Sequence, residues 1–419
     1  MPANVTHMLI AHKALQKLKA KGVKEFTEFA EMLDDASKDK NYKAYVNLGS
    51  LGPDLFYYAD IGRSVTYILI DRFMQAKAMT PWSYHLHSHK PNEFPLKLVE
   101  IIFSDVIRDK RKVKLYDDDR RKLAYIAGHL THIAADQIIH PVVNDVAGPY
   151  YRKGENRIKH RECEVFQDYF LYEEVYRLEG KSGPEYEFSK QAFHDWIDCV
   201  RGVPNAKEQL LYLLRKGLFL KRNFWSLMRY ITGYIRVATF KNTEEWFRYF
   251  LQRGFAETYG SFPSEDQIKD SVDYLRLTLW ACQRAGPYKI AEKEYVENRQ
   301  ASAMYREYIK DVKYVKYYRL AVELAVIYLM ALYEVYFVLK QGKDFTDRHK
   351  KRFLKIVSDA DLSCPLKQKI FEKARDELRN KTSMEAAIKM HTSGLLTKTR
   401  FITTNRIFKT RNDRDIVKA

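Results

Sequence analysis

The stretch HLTHIAADQIIHP, His129 to Pro141, sets His132, Asp136 and His140 at intervals of four. In an α-helix four residues turn about 400°, so each step drifts only about 40° and the three side chains share one face. Two imidazoles and a carboxylate on one face make a nitrogen and oxygen donor set that suits a divalent ion such as Zn²⁺. The surroundings, LAYIAGHLTHIAADQIIHP, are strongly apolar, and buried polar groups need partners. A solvated polar face therefore explains the pattern poorly, and chance would supply such a match only about 0.02 times in a chain of this composition. A second pair follows in IKHRECEVFQDYFLYEEVY, where His160 and Glu164 are again four apart. Alone this pair is ordinary for a helix surface. Beside the first helix it completes a set of three histidines and two carboxylates drawn from two facing helices.

Nine of the twelve histidines fall in the first 160 residues, so the demand for imidazole is local. His12 and His129 read as residues that orient ligands or simply pack. Gln167 and Asp168, one turn beyond Glu164, either orient ligands or lie at the surface.

The elements that must position these side chains are helical. Apolar residues make up 46% of the chain, which excludes a disordered polymer, and only 17 Gly and 12 Pro in 419 residues argue against a turn-dense β fold. Helical periodicity predicts helices over Leu9–Lys21, Val65–Lys77, Leu96–Arg108, Asp118–Asp145, Lys159–Leu178 and Glu187–Val200. Others are predicted over Lys207–Arg215, Phe224–Ala238, Glu265–Arg284, Glu292–Asp311 and Val315–Lys340, separated by loops such as GSLGPD, SHKPNEFP and AGPYK. The expected class is all-α.

The segment Leu320 to Leu339 is long enough to cross a bilayer, but Glu323 and Glu334 on one stripe would be costly there. A buried bundle helix whose glutamates meet basic partners or a polar cavity is the expectation. Four scattered cysteines, with no CxxC pair, exclude a disulfide framework and a thiolate zinc site. The N-terminal stretch lacks the pattern of a secretory signal, which sets the expectation of a cytoplasmic protein, peripheral to the inner membrane face where its basic charge meets anionic lipid.

The charge is uneven. The chain carries a net +18, and residues 341–419 hold twenty Lys and Arg against ten Asp and Glu. The expected division is a helical domain over 1–342, with a ligand core 1–180 and an extension 181–342, followed by basic helices and a tail over 343–419. Such a tail is either solvated surface or an attraction to anionic headgroups or nucleic acid, which charge alone does not separate.

Taken in order, five pieces of the first 175 residues resemble the zinc-dependent phospholipase C family, whose relatives include secreted bacterial phospholipases C and fungal zinc nucleases. VTHMLIAHKAL is similar to the family's first helix and makes His7 the match to a zinc histidine. LGPDLFYY places Asp54 at a zinc aspartate, and HLHSHKP, read as a loop, selects His87 before Pro91, with His85 and His89 as competitors. His132 matches a core histidine and Asp136 the aspartate that bridges two metals, while His140, His160 and Glu164 match the ligands of the remaining zinc. The resemblance implies an all-α bundle of that type with extra C-terminal helices, two or three Zn²⁺ ions, and phosphodiester hydrolysis, with phospholipid as substrate. It implies catalytic roles for Asp136 as the bridge and for Asp54 as ligand and proton acceptor. The secreted members use an N-terminal Trp as a zinc ligand; no Trp stands there in this sequence, and the amine of Pro2 beside His7 is the position that would have to replace it. Two other readings stay open: a zinc-dependent nuclease or other phosphoesterase favoured by the basic charge, and a non-catalytic, metal-stabilised helical scaffold at a membrane surface.

Overall fold

A computed structural model describes residues 4–58 apart from 38, 39 and 41, and 81–148 apart from 107, 110, 111 and 114. It also describes residues 154–171, 245–271 apart from 266, 269 and 270, and 303–362 apart from 361. The predicted helices at Val65–Lys77, Glu187–Val200, Lys207–Arg215 and Phe224–Ala238 lie outside these residues, as do Pro2 and the C-terminal tail.

The described elements run in order α1 (Asn4–Lys19), α2 (Lys24–Leu33), α3 (Tyr42–Ser50), the single turn α4 (Gly52–Leu55), α5 (Pro81–Ser88) and α6 (Glu93–Asp105). An antiparallel pair of two-residue strands, Arg108–Asp109 and Lys112–Val113, precedes α7 (Asp117–Ala147). Then come α8 (Gly154–Leu171), α9 (Glu245–Tyr259), the short α10 (Ala303–Tyr305) running into a π-helical turn (Arg306–Lys310), α11 (Tyr314–Lys340) and α12 (Asp347–Ile356). The protein is all-α.

α7 is the central element, packed against α1, α3, α6, α8 and α11. Its first turn carries Asp117, Asp118 and Asp119, whose charges favour the positive end of the helix dipole, and the Tyr116 amide donates to Asp119 Oδ2 at 3.1 Å. From Leu123 to Val143 nearly every side chain is buried, the pattern of a helix apolar on all sides. Gly148 ends it with a positive φ of 79°.

α3 crosses α7 with the two backbones in direct contact. A Cβ on Gly128 would stand 2.0 Å from the Val46 carbonyl oxygen, and one on Gly49 would stand 2.0 Å from the Tyr125 carbonyl oxygen. Only glycine permits this approach, which brings the end of α3 and the turn of α4 down onto the middle of α7.

α11 is the long apolar helix anticipated from Leu320 to Leu339, and together with the preceding turn it is long and apolar enough to cross a membrane. Here 67% of its most apolar window is buried within the protein, against α7 and α1. Glu323 pairs with Lys17, and Glu334 meets Arg352 of α12 at 2.5 Å. Both glutamates thus have the basic partners that a bundle helix requires. α12 packs on α6 and α11, and Phe353, Ile356, Val357 and Leu362 are buried in the same core.

Candidate metal centre

Specific local contacts hold the segments that bring His7, Asp54 and His87 to the site. Asp168, fully buried on α8, accepts hydrogen bonds from the Val5 amide at 3.1 Å and the Thr6 amide at 2.8 Å. The Thr6 hydroxyl adds a third at 2.7 Å, so Asp168 caps the start of α1 and fixes the turn that presents His7. Asp54 stands in the first turn of α4, after Pro53. The Ser83 hydroxyl donates to the Pro53 carbonyl at 2.9 Å, tying α4 to α5, which carries His87. The stretch HLHSHKP is therefore helix as far as Ser88, not loop: His87 sits in the last turn, where its ring reaches back along the helix. Asp54 makes no capping bond; its carboxylate faces imidazoles instead.

All eight anticipated side chains converge. Asp54, His132 and Asp136 are buried with at most 1% exposure, as are His7, His87, His140, His160 and Glu164 within 9%. Asp136 is central. Its Oδ2 lies 3.0 Å from His132 Nε2 and 3.6 Å from His87 Nε2, and its Oδ1 lies 3.2 Å from His7 Nε2 and 3.4 Å from His140 Nε2. Asp54 Oδ1 is 3.1 Å from His87 Nε2, and Asp54 Oδ2 is 3.8 Å from both His7 and His132. Across Asp136, Glu164 Oε1 lies 3.0 Å from His160 Nε2 and 3.5 Å from His140 Nε2. Three triads therefore have donor atoms within 4.8 Å of one another: His7, His132 and Asp136; Asp54, His87 and His132; and His140, His160 and Glu164. The first two overlap in one cluster, and the third forms a second beside it.

Proton placement decides what these groups want between them. His132 Nδ1 faces the Ser50 carbonyl oxygen at 2.8 Å, His87 Nδ1 faces the Ser83 carbonyl oxygen at 2.7 Å, and His140 Nδ1 faces the Leu362 carbonyl oxygen at 2.5 Å. A carbonyl only accepts, so each Nδ1 carries the proton and a neutral ring turns its Nε2 lone pair toward the carboxylates. Lone pair against carboxylate is repulsive unless a cation lies between. Accordingly His87 Nε2, His132 Nε2, Asp54 Oδ2, both Asp136 oxygens and Glu164 Oε2 are buried without a hydrogen-bond partner among the described residues. Such orphaned donor atoms, in a nitrogen and oxygen set whose other ring nitrogens are held by backbone carbonyls, fit zinc.

Without an ion the same groups compete for protons instead. Burial pushes Asp136 up, but His132, His140 and His7 outweigh it and hold the carboxyl well below the usual range. Glu164 is likewise held low by His160 and His140 against its burial. Burial lowers His7 to about 4, aided by His132. His132 is raised despite burial by Asp136 and Asp54, and His140 is pushed up to about 10, mainly by Asp136 and Glu164. Without an ion the carboxylates thus draw protons onto these imidazoles, positive charge that a bound metal would replace.

Residues 6–210 match the family model described as Zinc dependent phospholipase C. Over these residues, just under half of its length, the chain is similar to the zinc-dependent phospholipase C family. No curated protein and no solved structure matches the chain. All eight side chains fall inside the region matched to the zinc-dependent phospholipase C family, whereas α9, α11, α12 and Leu362 fall beyond it.

Other histidines among the described residues stand outside these triads. His129 is fully buried with its ring against Phe94 and Tyr125, and its burial drives its pKa well down. His12 contacts Asn47 Oδ1 at 2.8 Å, while His85 stacks on Tyr259. Gln167 is buried, not at the surface, and donates to Cys163 Sγ and to the Tyr308 carbonyl. The sequence reading did not name Ser50, Ser83 or Leu362. Ser83 stands one helical turn before His87, a signal visible once that stretch is recognised as helix; Leu362 left no signal at all.

Proposed function

We propose that this protein is a zinc-dependent phosphodiester hydrolase acting on phospholipids in the manner of a phospholipase C. What supports the reading is the convergence of His7, Asp54, His87, His132, Asp136, His140, His160 and Glu164 into two adjoining clusters with Asp136 between them, within residues matched to a zinc-dependent phospholipase C family. His7, Asp54, His87, His132 and Asp136 would hold zinc in one cluster and His140, His160 and Glu164 in the other, with Asp136 Oδ1 lying within reach of both. When bound, zinc lowers the pKa of a coordinated water toward neutrality and neutralises charge on the phosphoryl oxygens. The protein's part is to keep Nε2 lone pairs and carboxylate oxygens preset in a dry site, so that little reorganisation accompanies the reaction. Asp54 is the carboxylate we assign to accept the proton of the attacking water, because its Oδ2 is buried and unpartnered beside the Asp136 bridge.

The basic balance of residues 341–419 supports action at an anionic membrane face, which we assign to the cytoplasmic side. The test is release of a phosphorylated headgroup from phosphatidylcholine and phosphatidylserine vesicles by zinc-loaded protein, abolished by chelation and by Asp136→Asn. Sedimentation with the anionic vesicles should weaken steeply as salt is raised. A zinc-loaded preparation that left every phospholipid intact but cut single-stranded nucleic acid would replace this reading with a nuclease. One that left every phosphodiester intact would leave a metal-stabilised scaffold.

A further inference from the structure

We infer that the strap formed by residues 357–360 and Leu362, which lies beyond the family-matched residues, is a built part of the metal centre and sets the zinc affinity of the His140, His160 and Glu164 cluster. The inference rests on the proposed zinc reading of the site. Two bonds at one residue carry it. The Leu362 carbonyl faces His140 Nδ1 at 2.5 Å, and the Leu362 amide donates to the His87 carbonyl at 2.8 Å. One peptide stretch thus touches a prospective ligand from each cluster.

The carbonyls that orient the other two histidines come from nearby framework inside the matched region: Ser83 lies one turn before His87 on the same helix, and Ser50 ends the helix locked onto α7. His140 has no such local partner for Nδ1. Its acceptor comes from 222 residues away, on a buried strap that follows α12. A neutral imidazole has one proton, and a carbonyl at Nδ1 is what commits Nε2 to the lone pair; without it the ring is free to rotate or change tautomer.

The strap is itself held by groups that are not prospective ligands. Asn92 Nδ2 donates to the Val357 carbonyl at 2.9 Å, and Gln137 Nε2 donates to the Ser358 carbonyl at 3.3 Å. The Ser358 amide donates to the Tyr328 hydroxyl at 3.2 Å, and that hydroxyl donates onward to Gln137 Oε1 at 2.7 Å. Gln137 lies on α7 between Asp136 and His140, and Tyr328 lies on α11, so the strap is tied to the helix that bears the ligand it orients. Asn92, Gln137 and Tyr328 are positioning residues.

The experiment uses the full chain and its Tyr328→Phe and Asn92→Ala variants, titrated with Zn²⁺ against a competing chelator and with Co²⁺ while the d–d absorption is followed. Tyr328→Phe keeps the ring and removes only the hydroxyl, so a folded variant is expected, checked by circular dichroism. The expected result is a zinc affinity about 10-fold weaker at one class of site, the other class unchanged, with an altered absorption of the cobalt that fills the weakened class. In a Glu164→Gln background, where that class is already lost, Tyr328→Phe should change nothing further. Folded variants that bind both metals as the parent does would overturn the role of the strap and leave the zinc reading standing. A parent protein that binds neither metal would remove both.

Discussion

Asp136 and Glu164 do different work, and substitution separates them. Asp136 faces both clusters, its Oδ1 between His7 and His140 and its Oδ2 toward His132 and His87, whereas among the described residues Glu164 Oε1 meets His140 and His160. Asp136→Asn should therefore deplete zinc from both clusters, while Glu164→Gln should remove one class of site and leave the other, measured as metal per chain after gel filtration. Equal losses in the two variants would contradict a two-cluster site. The proton inventory yields a second expectation. In the metal-free protein the pKa of His140 is pushed from 6.5 to about 10 because Asp136 and Glu164 outweigh its burial. A group raised on folding contributes stability that is complete below its unfolded pKa and is lost as the pH rises through its folded one. The lowered carboxylates, Asp136 and Glu164, act in the opposite sense, contributing above the ordinary carboxylate range and losing that contribution on acidification. Chelated protein should accordingly melt at falling temperature as the pH is raised from 6.5 toward 10, while zinc affinity climbs over the same window as the competing proton leaves. Melting curves in chelator across that range check the sign, and a Tm that rises with pH would contradict it.

At the level of elements, the α3 and α7 crossing is the joint through which backbone geometry reaches the site. Gly128 and Gly49 let the backbones touch, and the same contact delivers the Ser50 carbonyl to His132 Nδ1. Gly128→Ala would put a methyl into the Val46 carbonyl, so the helices must part. Overpacking of this kind costs about 1–3 kcal/mol, and more where backbone rather than side chain must yield. The expected outcome is a lower Tm together with weaker zinc binding at the cluster containing His132; a variant that loses stability but keeps parental zinc affinity would uncouple the two. The elements differ in how far sequence disclosed them. α7 was legible to within a few residues, Asp118–Asp145 expected and Asp117–Ala147 observed, because a long apolar run bounded by aspartates and glycine has one reading. α2 and α3 were missed: both are short, and in α3 nearly every residue is buried, so no amphipathic period stands out. The converging side chains were legible because side-chain chemistry is written in the sequence. Their backbone partners, Ser50, Ser83 and Leu362, were not, since a carbonyl belongs to every residue and only the fold selects which one serves.

Taken as a whole, the molecule is closed through its metal centre. α1 opens the described chain and brings His7; the strap after α12 comes near its described end and meets His140 and His87; α4, α5, α7 and α8 supply the rest. These segments pack on one another through the hydrophobic core around α7 and α11, and at the point of convergence they set carboxylates against imidazoles. When no ion is present, a proton held by His140 between Asp136 and Glu164 supplies part of the balancing positive charge. Zinc would take the place of such protons in the folded arrangement, so it should act as a ligand of the native state alone and stabilise it in proportion to the logarithm of free metal, by about 4 kcal/mol at a thousand times Kd. Differential scanning calorimetry at buffered free zinc should show Tm rising across the whole accessible range, and chelation should lower it reversibly while helix content at low temperature stays nearly constant, because α7 and α11 are buried by apolar contacts and not by the ion. If Tm proved indifferent to free zinc, the convergence of chain segments from both ends on these eight side chains would have to be explained without a metal.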